Sequence, residues 1–283
     1  MNKFIRITPN RNNFGSGFFS NYRMILEDLI YNHENGMDGT PYVDWSDTAW
    51  VEGYNPFESN HLIKKENPFD FWFEQTTPNE NDEILNYIPT TSQNIINHNL
   101  DYSDKYSELE RQQLVDRKYI KLKKEISDKI DEIYDKEFSN NTVLGVIARG
   151  CEFFHWHPQN GVFTIQNYVD NINKILEDNP QITKLFLVSE DSNYIEILKN
   201  NFPNSYYLND VFRRTDETLE YMNKVYLWPN VSTKRKEQNK LLGEEVIIQT
   251  KLLGKCDYLF GMHTGVFCGA VLWNENIKKI FKI

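Results

Sequence analysis

The chain of 283 residues has little cysteine, little positive charge and no long apolar run, and each shortage excludes something. Its three cysteines, Cys151, Cys256 and Cys268, are an odd number without paired spacing. That argues against a secreted disulfide framework and for a reducing compartment. Lysine and arginine total 31 against 41 aspartates and glutamates, a net charge of −10, so no nucleic-acid partner is expected. No stretch approaches the roughly 20 apolar residues of a transmembrane helix. The opening Met-Asn-Lys-Phe-Ile-Arg-Ile-Thr-Pro has too short an apolar run for a signal peptide and reads as a first strand. A cytoplasmic location is expected.

What is present is a globular composition. Hydrophobic residues make up 40% and aromatic residues 14%, too much for a disordered chain. The length suits one large domain or two of ordinary size. The most informative stretch runs over 143–160. Residues 143–148 are an apolar run rich in β-branched residues, preceded by Asn140 and Asn141, and read as a buried strand. Arg149 and Gly150 end it. Cys151, Glu152, His155 and His157 follow in one short polar loop, and Thr164 opens an amphipathic helix with Ile165, Val169, Ile172 and Leu176 on one stripe. In an open α/β sheet, ligands bind beyond the carboxyl ends of strands, so this loop is the first candidate for a site.

Earlier in the chain, 4–8 reads as a strand, followed by the glycine-bearing loop Phe14-Gly15-Ser16-Gly17-Phe18 and a helix with Met24, Ile25, Leu29 and Ile30 inward. A strand at 41–45 completes a β–loop–α–β unit whose loop amides suit an anion. Gly15-x-Gly17 alone is a weak signal, because any tight turn favours glycine. Residues 46–99 read as irregular and aromatic-rich, with 69–74 filling a core. One long charged helix is expected over 107–138, with Leu109, Leu114, Ile120, Ile126, Ile130 and Ile133 on its inner side. Beyond 140, strands at 185–188, 205–208, 257–260 and 279–283 alternate with helices at 194–201, 243–253 and 266–273. That alternation predicts a parallel, doubly wound sheet. The polar segment 209–240 carries Arg213 and Arg214. A loop of that length is functional or mobile.

Three features together resemble the fucosyltransferase-like superfamily. They are the glycine-rich loop before a helix and Tyr42-Val-Asp-Trp45, the strand Gly145-Val-Ile-Ala-Arg149, and Lys255-Cys-Asp257-Tyr-Leu-Phe-Gly261-Met-His263-Thr264-Gly265. The strand at 145–149 is similar to the family strand ending in His-x-Arg, with Ile147 in the histidine position. Arg149-Gly-Cys-Glu152-Phe and Trp156-His157-Pro158 look like the Arg-Gly-Thr-Asp-Tyr and Gly-His-Pro of bacterial members, with Glu152 in place of aspartate.

The resemblance implies an α/β protein of two Rossmann-like domains (GT-B type) with parallel sheets, the charged helix connecting them. Residues 1–138 would be the acceptor-side domain and 139–283 the nucleotide-sugar domain. It implies an inverting, metal-independent transferase moving fucose or a related sugar from a GDP-sugar to a surface-polysaccharide glycan. Donor and acceptor would be its partners, with peripheral association with a polysaccharide assembly system. The alternatives are a same-fold transferase of another nucleotide-activated group, or an inactive nucleotide-sugar or glycan binder.

The residues suit such roles. Arg149 can grip phosphate oxygens bidentately as leaving-group charge grows. Thr264, with the amides of Gly265 and Val266, opens a helix whose dipole favours phosphate, although a plain N-cap explains the threonine equally well. Glu190 and Asp191 follow a strand and could reach ribose or base, or simply start a helix. Gly15, Ser16, Gly17, Arg213 and His263 complete the expected donor contacts. Glu152 and His157 are the candidate general bases. Cys151 with His155 or His157 as a nucleophile pair lacks supporting motifs, and no spacing matches a zinc site.

Overall fold

The computed structural model describes residues 2–9, 17–36, 38–48, 50–51, 66–86, 106–150, 163–214 and 235–283. The chain falls into two compact units, Met1–Lys124 with Trp228–Gly243, and Glu125–Leu227 with Glu244–Ile283.

In the first unit, β1 (Lys3–Ile7), α1 (Phe18–Glu34) and β2 (Thr40–Val43) form the expected β–α–β unit, with β1 and β2 parallel. The helix ends at Asn35, and Gly36 takes the left-handed φ of 76° that such an exit favours. Residues 69–74 make a short helix, α2 (Phe69–Trp72), running into β3 (Phe73–Glu74). Phe69, Trp72 and Phe73 are buried, as expected of core filling. Phe18 gathers Trp45, Trp50 and Trp72 edge-on, with ring centroids 5.2, 5.4 and 5.4 Å away.

A strand missed in the irregular reading of 46–99, β4 (Glu83–Asn86), pairs in parallel on the other side of β1. It is an edge strand with Ile84 and Leu85 both largely exposed. It therefore lacks the alternating burial that makes a strand readable.

The single long helix is corrected to two, α3 (Tyr106–Tyr119) and α4 (Lys124–Glu137). Between them β5 (Lys121–Leu122) pairs antiparallel with β3, and Lys123 N–H donates to Trp72 O at 2.9 Å. The strand interrupts the helical phase. Leu114, expected inward, is 54% exposed, and Val115 with Asp116 takes the buried place, the Asp116 carboxylate accepting the Tyr22 hydroxyl.

In the second unit, β6 (Val143–Ile147), β7 (Lys184–Val188), β8 (Ser205–Tyr206), β9 (Tyr258–Gly261) and β10 (Lys279–Lys282) form one sheet. Its order is β10-β9-β6-β7-β8, and every pairing is parallel. Helices α5 (Ile165–Asp178) and α6 (Ser192–Asn201) cover one face, packing on Leu144, Val146, Leu185 and Leu187. On the other face Phe138 lies 5.2 Å from Phe186, and α7 (Gln238–Gly254) places Leu253 against Gly145. The expected doubly wound sheet is present, and strand order reverses between β6 and β9. The last helix, α8 (Gly265–Leu272), follows β9.

Gly243, inside α7, presses on Trp72 so closely that a Cβ would overlap the indole ring. The ring cannot simply swing aside, because Trp72 Nε1–H donates to Lys240 O at 2.9 Å. Gly243→Ala should gain about 1 kcal/mol of helix propensity yet lose about 1–3 kcal/mol to overpacking. A lower melting temperature is expected. An unchanged or higher one would show that α7 shifts freely.

Candidate functional site at the strand-order reversal

The reversal of strand order puts two chain segments side by side at the carboxyl edge of the second sheet. Ile147 of β6 pairs with Gly261 of β9, so Arg149 and His263 each lie two residues beyond that pair. A Cβ on Gly261 would stand 2.7 Å from Ile147 O, and only glycine allows this approach. Such a reversal of strand order is the place where doubly wound sheets hold ligands.

Arg149 is held by its backbone. Ala148 N–H continues the ladder to Val188 O at 2.9 Å, and Arg149 N–H donates to the Tyr168 hydroxyl at 3.0 Å. Tyr168 lies fully buried on α5, and burial raises its phenol well above the usual range, so it remains neutral and can accept that bond. The Arg149 side chain stays 29% exposed, with Nη1 3.3 Å from Glu190 Oε1.

Glu190 does more than follow a strand. Its Oε1 also accepts Gly150 N–H at 3.2 Å and lies 3.6 Å from Nη2 of Arg214. Asp191 is the N-cap of α6, its Oδ1 accepting from Asn193 N–H at 2.9 Å and Tyr194 N–H at 3.3 Å. Asp191 also leaves no room for a side chain at Gly150, whose Cβ would sit 2.8 Å from Asp191 Oδ2.

Of the adjacent arginines, Arg213 donates to Leu208 O at 2.6 Å and lies over the Tyr207 ring. Arg214, at 3% exposure, faces Glu190. Burial, with the Arg149 charge adding to it, pulls the Arg214 guanidinium down to about 9, still protonated at neutral pH. Arg213 is the arginine expected among the donor contacts. The residue brought to Arg149 and Glu190 is its neighbour, and no local pattern distinguishes the two.

Thr264 caps α8, its Oγ1 accepting Phe267 N–H at 3.3 Å. Gly265 and Val266 occupy the first helical positions, whose amides have no acceptor within a helix. His263 Nε2 lies 3.4 Å from Cys268 Sγ. In the first unit Gly17 caps α1 with φ −60°, and a Cβ there would meet nothing within 4 Å, so this position does not depend on glycine. Gly15, Ser16, Cys151, Glu152, His155 and His157 lie outside the described residues.

Fucosyltransferase NodZ from Bradyrhizobium matches over 97% of this chain and 93% of its own, with a TM-score of 0.57 and 18% identity. The chain has the fucosyltransferase-like fold. Another NodZ structure, an alpha-1,6-fucosyltransferase soaked with GDP-fucose, matches at TM-score 0.55 and 18% identity over the same shares of the chains, 97% and 93%. POFUT1 in complex with GDP matches over 99% of this chain and 98% of its own, at TM-score 0.54 and 9% identity. No family model and no curated protein sequence matches. At these identities the likeness is one of fold, and it agrees with the fold that the three short motifs imply. No helix among the described residues is long and apolar enough to cross a membrane.

Proposed function

We propose that this protein is a glycosyltransferase that moves fucose or a related sugar from a GDP-sugar to a growing surface glycan. The observation that supports this reading is the pairing of Ile147 with Gly261, from which the segments carrying Arg149 and Thr264 both leave the sheet at the strand-order reversal. A diphosphate leaving group needs charge-matched donors. Arg149 offers a guanidinium fork, and the Gly265 and Val266 amides offer a helix N-terminus. The neighbours support the nucleotide, since NodZ was soaked with GDP-fucose and POFUT1 holds GDP.

In this mechanism the acceptor hydroxyl attacks the anomeric carbon directly and inverts it, while Arg149 and the α8 amides take up the developing phosphate charge. Glu152 or His157 removes the acceptor proton. Because these cationic and dipolar groups serve the leaving group, no divalent metal is needed. Residues 139–283 would hold the donor and 1–138 the acceptor.

Ligands that bind only the folded state raise its melting temperature, so a thermal-shift screen tests the donor. GDP and GDP-fucose should raise it, and UDP and CDP should not. Slow hydrolysis of the donor without acceptor should accompany binding, which separates an enzyme from a binding protein. Activity should survive EDTA. Loss of transfer that added Mn²⁺ restores would overturn the metal-independent mechanism.

A further inference from the structure

The turn after β7 joins three charged side chains through one carboxylate oxygen. Glu190 Oε1 lies 3.3 Å from Arg149 Nη1 and 3.6 Å from Arg214 Nη2, and takes the Gly150 N–H at 3.2 Å. The two arginines are not equivalent. The Arg149 side chain is 29% exposed, whereas that of Arg214 is 4% exposed. Arg214 is also stitched by its backbone to the same turn. Its N–H donates to Glu190 O at 2.7 Å, and its carbonyl accepts from Ser192 N–H at 3.0 Å and Ser192 Oγ–H at 2.6 Å. Arg214 is the fixed member and Arg149 the one that reaches solvent.

We propose that Arg214 is a positioning residue for Arg149, acting through the carboxylate of Glu190 that both guanidiniums share. The inference rests on the reading of Arg149 as the group that grips the diphosphate. Two physical effects follow from the arrangement. Glu190, held from behind by a buried cation, fixes the long Arg149 side chain before ligand arrives, so less rotamer entropy is lost on binding. Gly150 N–H donates to the same oxygen, which steadies the carboxylate in the orientation that meets Arg149. Asp191, the other nearby acid, directs Oδ1 to the first amides of α6. Direct contact between Arg214 and ligand is disfavoured by its burial.

The test is a double-mutant cycle read by GDP binding, with Arg214→Met and Arg214→Lys each made in the natural chain and in Arg149→Ala. Arg214→Met should weaken GDP about tenfold in the natural chain, within the range of couplings between contacting residues. Arg214→Lys, which keeps charge but loses the planar fork, should weaken it about threefold. In Arg149→Ala both changes should be silent. Equal losses in both backgrounds would overturn the proposal, because a direct or merely structural role does not depend on Arg149. If Arg214→Met does not fold, the lysine variant alone decides the cycle. If the natural protein binds no GDP, the transfer reading falls. The arrangement is then judged without ligand, by the coupling in melting temperature between Arg149→Ala and Arg214→Lys. A coupling indistinguishable from zero would overturn it, and a measurable one would sustain it.

Discussion

Arg149→Ala is expected to give a folded protein that transfers no measurable sugar. The fold should survive because the parts of Arg149 that hold the chain are in its backbone, chiefly the N–H bond to buried Tyr168. Removal of the side chain does not strand a buried charge either, since Glu190 keeps Arg214 and the Gly150 amide as partners. The chemistry should not survive. Deleting a single preorganised donor to a developing charge costs about 10²–10³ in rate, and a bidentate guanidinium supplies two. Arg149→Lys restores charge without the fork and should recover activity only in part. Steady-state rates, with circular dichroism to confirm folding, provide the check. Near-normal turnover in the alanine variant would remove Arg149 from the mechanism.

The other large effect is expected at the general base. Glu152→Gln keeps shape and hydrogen bonding but cannot take a proton, and His157→Asn asks the same of the other candidate. Loss of a general base costs about 10²–10⁴-fold in rate. Glu152 is favoured, because in the motif resemblance it stands where the bacterial members carry aspartate, three residues after Arg149. A base should lower the rate alone, leave GDP affinity intact and abolish the acidic limb of the pH profile. A residue that merely orients Arg149 should weaken GDP binding together with rate. Should both variants retain more than about a tenth of turnover, well short of the usual general-base effect, the base lies elsewhere in the chain.

The second unit was legible in the sequence because its strands are short, apolar and flanked by amphipathic helices. Residues 143–147 and 184–188 bury nearly every side chain, and that composition can be read without knowing the neighbours. Thr164, Asp191 and Thr264 announced helix starts for the same local reason, since each side chain accepts a bond from an amide two or three residues ahead. Local composition and spacing suffice for the α/β class, the parallel second sheet and the place of Arg149 just beyond a strand end.

Other features were decided only by tertiary structure. Whether 106–137 forms one helix or two depended on β3, which recruits Lys121 and Leu122 from a distant part of the chain. The edge strand β4 depended on β1, because its own side chains are too exposed to declare a face. Arg213 and Arg214 are chemically identical neighbours. Which one meets Glu190 was settled by the parallel bridge between Asp191 and Arg214, a long-range pairing that no local pattern encodes. Local chemistry fixes where an element begins and what it buries. Partners far apart in the chain decide which of two like side chains reaches the site.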